Sequence, residues 1–189
     1  MTAGVVLAAG ASTRMGTPKA MLPFRGGTFL SHLCERLAVH CDPLVVVTGA
    51  HADRILCPPG ARAVVNENWE RGQLSSLQCA LRAVPAGVSG VLFTLVDHPD
   101  PAEETLAKLV QSQATVAVPV HDGRKGHPVR FQAALIPELL ALPAGASAKD
   151  VFRAHAALTE YIVVSDPGIV DDVDDAVALL RFRARTEFA

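Results

Sequence analysis

Over the first 120 residues, short apolar runs alternate with segments whose apolar residues recur at helical spacing. Runs rich in β-branched residues predict strands, and the i, i+3, i+4 pattern predicts helices between them. The predicted strands are 4–9, 44–48, 62–65, 91–96 and 115–120, and the predicted helices are 28–40, 75–84 and 101–111. Strands that are apolar throughout, separated by helices, indicate a mostly parallel sheet covered on both faces. The fold class predicted is α/β, a doubly wound three-layer α/β/α sandwich.

The pattern changes after residue 120. A turn-rich loop covers 121–128, and the elements predicted beyond it are strands at 129–131 and 161–165 and helices at 133–141, 148–155 and 176–183. The sequence shows no internal repeat, low-complexity tract or linker. Since domains usually run to ~100–200 residues, we expect one domain over 1–189.

Composition excludes several classes of protein. Half of the residues are hydrophobic and 19% are charged, which argues against a disordered chain. A net charge of −2 without a tract dense in Lys and Arg argues against general nucleic-acid binding. The longest apolar runs are about six residues, whereas a membrane span needs ~20, so we expect no span and no signal peptide. The cysteines lack the spacing of zinc ligands and predict free thiols in a reducing cytoplasm: Cys34, Cys41, Cys57 and Cys79.

A loop of small residues follows the first predicted strand. It reads Gly-Ala-Ser-Thr-Arg-Met-Gly-Thr-Pro-Lys over residues 10–19 and carries two cations, Arg14 and Lys19. Small residues let backbone N–H groups approach an anion, and the two cations can bind phosphate oxygens. The glycine spacing differs from a Walker loop and from the Gly-x-Gly-x-x-Gly fingerprint. Spacing alone favours phosphate binding over an ordinary surface turn.

The run over residues 7–24 resembles the signature of the MobA-like nucleotidyltransferases, which include enzymes that attach a cytidylyl or guanylyl group to molybdopterin. The matching positions are Leu7, Ala8, Gly10, Ser12, Arg14, Met15, Gly16, Lys19 and Leu22. The resemblance implies a Rossmann-like fold of the nucleotide-diphospho-sugar transferase type. It also implies that Arg14 and Lys19 bind the triphosphate and that the nucleotide lies on Leu7, Ala8, Ala9, Gly10 and Ser12. The order Ala8-Ala9-Gly10 favours the cytidylyl branch, which uses CTP, over the guanylyl branch, which uses GTP.

A second nucleotide-binding segment is predicted after the third strand. By resemblance to the family's Asn…Gly…Ser element, it places Asn66, Gly72, Ser75 and Ser76 beside the base and ribose. On local grounds, simple helix capping by the serines is about as well supported. Trp69 either stacks on the nucleotide or covers the edge of the core.

Acidic residues follow the most apolar strand and the last strand. Asp97 is a natural Mg²⁺ ligand at the carboxyl end of a buried strand, and Asp100 is better placed to cap the next helix. His98 either hydrogen-bonds a ligand or faces solvent, and we expect exposure to solvent. By resemblance to the family's Asp-x-Asp element, Asp172 is the second metal ligand, with Mg²⁺ as the metal and Mn²⁺ as an alternative. Capping of the final helix is the competing role, best suited to Asp174 or Asp175.

The acceptor side rests on two segments that resemble the family. Gly126, His127 and Pro128 match its Gly-His-Pro element, and Lys149 stands where an Arg is frequent. We expect His127 to orient the acceptor or support the structure, because a phosphate nucleophile with a second pKa of ~6 needs little deprotonation.

Taken together, the resemblance implies Mg²⁺-dependent transfer of a cytidylyl group from CTP to the phosphate of molybdopterin, with release of pyrophosphate. Arg14, Lys19 and Asp97 are the predicted catalytic residues, and the chemistry is mainly positioning and electrostatics. The alternatives are GTP as donor, a sugar-1-phosphate nucleotidyltransferase, and a non-catalytic nucleotide-binding protein of cofactor maturation. The partners implied are the two small-molecule substrates and a molybdenum enzyme or its maturation chaperone.

Overall fold

The structure, a computed structural model, describes residues 1–186. The single domain predicted over 1–189 therefore includes three residues, 187–189, outside the described residues. The strands are β1 Thr2–Ala8, β2 Pro23–Phe24, β3 Gly27–Thr28, β4 Leu44–Thr48, β5 Ala61–Val65, β6 Gly90–Leu95, β7 Val116–His121, β8 Arg124–Lys125, β9 Val129–Gln132 and β10 Thr159–Val163. Eight of them form one sheet in the order β10-β7-β9-β6-β1-β4-β5, with β8 paired to β7.

Helices cover both faces of this sheet. They are α1 Phe29–Ala38, α2 Gln73–Ala83, α3 Glu103–Gln111, α4 Ile136–Ala141, α5 Ala148–Ala154 and α6 Ala176–Thr186. One core layer contains buried residues of α1, α3 and α6, and the other contains buried residues of α2, α4 and α5. Each large apolar side chain buried in this way stabilises the fold by roughly 1.5–3 kcal/mol. The predicted three-layer sandwich is confirmed.

Strand direction decides which loops meet. The strands β6, β1, β4 and β5 run parallel to one another, so their carboxyl ends share one edge. The strand β9 is antiparallel to both β6 and β7, and β10 is parallel to β7. Consequently β9 begins, and β7 and β10 end, at that same edge. The loop before β9 and the loop after β10 therefore join the loops after β1 and β6.

The two-residue strands were not predicted, because they are too short to show periodicity. In the hairpin of β2 and β3, Arg25 and Gly26 have φ values of 46° and 80° and form the turn. The strand β10 begins two residues before its predicted start at Tyr161. The last helix continues to Thr186, beyond its predicted end at Arg183.

Two further expectations concern membranes and thiols. In the described part of the chain, no helix combines the length and the apolar character needed to cross a bilayer. All four cysteines are free, as predicted, and burial raises the pKa of the Cys34 and Cys41 thiols to about 12. These two thiols are therefore unreactive small apolar side chains of the core.

Candidate active site

A cleft of about 450 Å³ opens at the carboxyl ends of the parallel strands, between the loop after β1 and the turn Trp69–Arg71. It is lined by most residues predicted to bind the nucleotide: Leu7, Ala8, Ala9, Gly10, Ser12, Arg14, Lys19, Gly72 and Ser76. Ile55, Glu70 and Gln73 also line the cleft and carry no sequence signal that identifies them. The position agrees with the rule that open parallel sheets bind ligands beyond their strand ends.

Local contacts shape the loop after β1. Ser12 adopts a left-handed φ of 50°, which is uncommon for a residue other than glycine, and Gly16 has a φ of 66°. The carbonyl oxygen of Ser12 accepts a hydrogen bond from the Met15 amide at 2.9 Å. The hydroxyl of Ser12 accepts a hydrogen bond from the Lys19 amide at 3.1 Å. Ser12 thus ties the start of the loop to the segment that carries Lys19.

Three carboxylates converge at the mouth of the cleft. Asp97, Asp172 and Asp174 each offer an oxygen atom, and these atoms all lie within 4.8 Å of one another. The ammonium of Lys19 lies between two of them, 3.2 Å from Asp97 and in a hydrogen bond with Asp174. Arg14 donates to the other oxygen of Asp174 at 3.0 Å. Two cations therefore offset the repulsion among the three acids.

The acids differ in their tendency to hold a proton. Burial, together with the charges of Asp97 and Asp174, raises the pKa of the Asp172 carboxyl. The hydrogen bond from Lys19 lowers the pKa of Asp174 and, with the charge of Arg14, outweighs its burial. Of these two acids, Asp172 is thus the one that gains more from an additional positive charge nearby.

The donor set fits a divalent cation. Carboxylate oxygens are the ligands that Mg²⁺ prefers in proteins. One carboxylate oxygen, Oδ1 of Asp97, is buried without a hydrogen-bond partner among residues 1–186. An orphaned acceptor within an acidic cluster indicates a place for a cation. The geometry thus brings the two predicted ligands, Asp97 and Asp172, together and adds Asp174 as a third candidate. The neighbouring Asp175 has a different role: it caps α6 by accepting a hydrogen bond from the Ala178 amide at 2.8 Å.

The expected capping role of Asp100 is wrong. The helix α3 is capped from a distant segment, because Asp166 accepts from the Ala102 amide at 2.8 Å. Asp100 is buried and bonded to the hairpin and α1: Arg25 at 3.2 Å, His32 at 2.9 Å and Arg36 at 3.3 Å. Although burial opposes ionisation, the His32 hydrogen bond and the arginine charges lower its pKa.

The second predicted nucleotide segment forms a hydrogen-bonded cluster between this cleft and a neighbouring one. The Asn66 amide nitrogen donates to Ser75 at 2.9 Å and to Ser76 at 3.1 Å, and its oxygen accepts from the Asn68 amide at 3.0 Å. Helix α2 begins one residue after Gly72, so neither serine is its N-cap. Asn66 and Ser75 line a neighbouring cleft, whereas Gly72 and Ser76 face the first. The alternative of serine capping is therefore wrong.

The predicted acceptor residues lie on the other side of the carboxylates. Gly126 lies against the 164–175 loop so closely that an added Cβ would be 2.1 Å from the carbonyl oxygen of Ile169. Burial lowers the pKa of His127 to about 3, with further contributions from nearby His98 and Lys149, so its ring is neutral. Pro128 follows a cis peptide bond, and Lys149 is exposed on α5.

His98 does not face solvent as expected. Its side chain is buried, and its ring stacks on that of His127 with centroids 5.0 Å apart. The reason is that the 164–175 loop packs over residues 97–100: the Val173 amide donates to the Asp97 carbonyl at 3.0 Å. Contacts of this kind between distant segments leave no local sequence signal.

Comparisons with known proteins identify the family to which the chain is similar. The model of the MobA-like NTP transferase domain matches residues 4–159. A probable molybdenum cofactor guanylyltransferase of Rhodopirellula baltica is 37% identical over 68% of this chain, and the chain spans only 64% of that relative. The nicotine blue oxidoreductase of Paenarthrobacter nicotinovorans is 33% identical over 94% of both chains. The molybdenum cofactor cytidylyltransferase of Escherichia coli is 28% identical over 66% of this chain and 67% of its own length.

Solved structures show the same fold. Rv0371c of Mycobacterium tuberculosis superimposes with a TM-score of 0.83 at 28% identity, over 95% of each chain. A structure of that protein in complex with manganese gives a TM-score of 0.79 at 25% identity, over 95% of this chain and 96% of the other. The family model covers most of the sequence, and the glycine-rich loop and the acidic residues of this chain meet at one cleft. The chain is therefore an enzyme that belongs to the MobA-like NTP transferase domain family.

Proposed function

We propose that this chain transfers a nucleotidyl group from a nucleoside triphosphate to the phosphate of molybdopterin and releases pyrophosphate. The observation that carries the proposal is the convergence of Asp97, Asp172 and Asp174 at the mouth of the cleft, with Lys19 between them. Binding a nucleotide alone does not require three carboxylates, whereas transfer from a metal-bound triphosphate does use such ligands. The whole chain, 1–189, acts as one domain in this proposal.

The chain's own residues bind and orient the reactants. The small residues Gly10 and Ser12 let the backbone approach the triphosphate. Lys19, held in the cleft by two carboxylates, and Arg14, at its rim, donate to phosphate oxygens and stabilise the charge that develops on pyrophosphate. Asp97, Asp172 and Asp174 would hold a divalent cation, which would supply positive charge to offset that of the phosphates.

The acceptor side supplies positioning. An oxygen of the acceptor phosphate forms a bond to the α-phosphorus as the bond to pyrophosphate breaks. The phosphate is already anionic near neutral pH, so no strong general base is required. His127, neutral and buried, and Lys149 on α5 hold the acceptor rather than remove a proton from it.

CTP is the donor that we propose, with GTP as the second candidate. The order Ala8-Ala9-Gly10 supports CTP, and Ala9 is buried where its oxygen accepts from the Ala50 amide at 3.1 Å. Relatives named as guanylyltransferases support GTP, including those of Rhodopirellula baltica and Mycobacterium ulcerans. The product would serve a molybdenum enzyme or its maturation chaperone. Four free thiols accord with a reducing cytoplasm as the place of reaction.

Thermal-shift measurements with CTP, GTP, ATP and UTP, each with and without Mg²⁺, test the donor. A ligand at ~100 times its Kd that binds only the folded state stabilises by ~2.7 kcal/mol, which is easily measured. A Mg²⁺-dependent shift with CTP alone, followed by turnover with molybdopterin, supports the proposal. A shift with GTP alone moves the donor to GTP. Turnover with neither nucleotide contradicts nucleotidyl transfer to this acceptor and directs attention to chemistry such as that of the oxidoreductase relative.

A further inference from the structure

His98 has a buried ring whose hydrogen-bonding capacity is unused. The residue is only 8% exposed. Among residues 1–186, its Nδ1 atom is buried and has no partner, and its Nε2 atom is 4.0 Å from Oδ1 of Asp97, beyond hydrogen-bond distance. Buried polar side chains are nearly always hydrogen-bonded. The Nε2 atom has no hydrogen bond within residues 1–186 and, unlike Nδ1, is not fully enclosed, so it is the ring position at which a ligand can supply a partner.

The ring of His98 links the carboxylates to the acceptor loop. It stacks on His127 at 5.0 Å with an angle of 30° between the planes, and His127 in turn meets Phe93 edge-on at 5.3 Å. The backbone holds both histidines in place, because the His98 amide donates to the Leu95 carbonyl at 3.1 Å and the His127 amide donates to the Ile169 carbonyl at 2.9 Å. The stack is therefore preorganised.

The two sides of Asp97 differ. Asp97 itself lines the nucleotide cleft together with Lys19, whereas His98, the next residue, contacts the Gly-His-Pro loop. A ligand that meets His98 thus approaches from the acceptor side. Of the two ring nitrogens, Nδ1 is covered by protein, which leaves Nε2 to meet a ligand.

We propose that His98 binds the acceptor directly: its Nε2 atom hydrogen-bonds an anionic oxygen of the acceptor phosphate and positions it beside the carboxylates. The proposal rests on the nucleotidyl-transfer function above and adds to it a residue that selects for a phosphate-bearing acceptor. His127 supports the ring of His98 by stacking. The role is hydrogen bonding and orientation, without proton transfer.

A matched pair of variants tests the assignment of Nε2. His98→Gln and His98→Asn both remove the stacked ring, but the amide nitrogen of Gln reaches about as far as Nε2 and that of Asn only as far as Nδ1. With molybdopterin as acceptor, we expect the KM for molybdopterin to rise at least about tenfold in His98→Asn and to stay within about threefold of wild type in His98→Gln. The KM for the nucleotide and the binding of Mn²⁺, followed by its EPR signal, should change in neither. His155→Gln, at the far end of α5 and paired with Glu138, is the control.

The outcomes separate the two proposals. Suppose that the wild type turns over molybdopterin. If the KM for molybdopterin is then equal in His98→Gln and His98→Asn, or if the KM for the nucleotide rises along with it, the role of His98 is overturned while the proposed function stands. If the wild type does not turn over molybdopterin with any nucleotide, the proposed function fails and this role fails with it. Should His98→Asn not fold, His98→Phe, which keeps a stacked ring without a nitrogen, must raise the KM for molybdopterin by the same factor. An unchanged KM in that variant overturns the role.

Discussion

The two sides of the cleft are built differently. The loop of residues 9–18 has only two buried residues, Ala9 and Pro18. Some of its hydrogen bonds are local, such as Met15 to Ser12, and others reach Ala50, His51 and Asp174. The loop 96–102 is largely buried, and the loop 164–175 has five buried residues. The two loops bond to each other and to remote parts of the chain. Lys19 joins the two sides, since it is hydrogen-bonded to Asp174, 155 positions away.

This difference separates two tasks. A phosphate-binding loop needs small residues and accessible backbone groups, which a short contiguous motif can supply. Carboxylates that share one cation must be held close together despite their repulsion, which requires a frame of buried contacts. Changes to the carboxylates should therefore alter metal binding, and changes to the buried contacts of their loops should alter stability. Changes in the 9–18 loop should alter nucleotide binding and turnover with little effect on stability.

The largest effect is expected from Asp97→Asn. The change removes a charge from the centre of the three carboxylates, so metal-dependent turnover should fall by about 10³-fold or more, equivalent to ~4 kcal/mol. Melting should change little, because relief of the repulsion between Asp97 and Asp172 offsets the weakened contact with Lys19. Steady-state rates at several Mg²⁺ concentrations and Mn²⁺ binding measure the effect, with Asp122→Asn on an exposed turn as the control. Full activity in Asp97→Asn would remove this residue from the metal site.

Removal of the two cations should have a smaller effect. We expect Lys19→Ala to lower turnover by about 10²-fold, and Arg14→Ala by about tenfold because its side chain is 66% exposed and screened by water. Both should lower the rate more than the melting temperature. Lys108→Ala, on the exposed face of α3, is the matched control. Wild-type melting together with normal turnover in either variant would contradict a phosphate-binding role for that residue.

The same contrast explains how much could be read from the sequence. Periodicity located the long strands and helices, and the contiguous loop of small residues located the cleft at the carboxyl ends of the strands. The hairpin of β2 and β3 was missed because two-residue strands have no period. The burial of His98 and the capping of α3 by Asp166 were missed because both depend on contacts between distant segments.

The acidic run at residues 171–175 illustrates the limit of what sequence alone can predict. Its composition suggested metal binding or capping, and the structure assigns capping to Asp175 while it groups Asp172 and Asp174 with Asp97. The choice depends on how β10 enters the sheet, since its direction brings the run to the edge where β6 ends. A local pattern carries no such information.

A glycine pair tests the packing of the acceptor side. In Gly126→Ala, the new Cβ would lie 2.1 Å from the Ile169 oxygen, so the two loops must separate at a cost of about 1–3 kcal/mol. In Gly10→Ala, the Cβ would meet no atom within 4 Å among the described residues, so melting should stay unchanged while nucleotide binding weakens. Urea unfolding and nucleotide thermal shifts separate the two effects. Equal stability of both variants would contradict this division.

The smallest effect is expected from the pH dependence of His127. Its pKa is about 3 in the folded protein and near 6.5 in an unfolded chain, so between these values the unfolded state binds the extra proton. Stability is therefore lost as the pH falls below 6.5, by at most about 1.4 kcal/mol per unit from this group. The pKa values of Asp100 and Asp174 are also lowered, so both residues add to the loss of folding stability in acid. Their contribution is the same in wild type and in a variant of His127, so it cancels in the comparison. His127→Phe should thus lose less stability than wild type between pH 7 and 5 in urea titrations, and parallel curves would show that the imidazole is not held neutral.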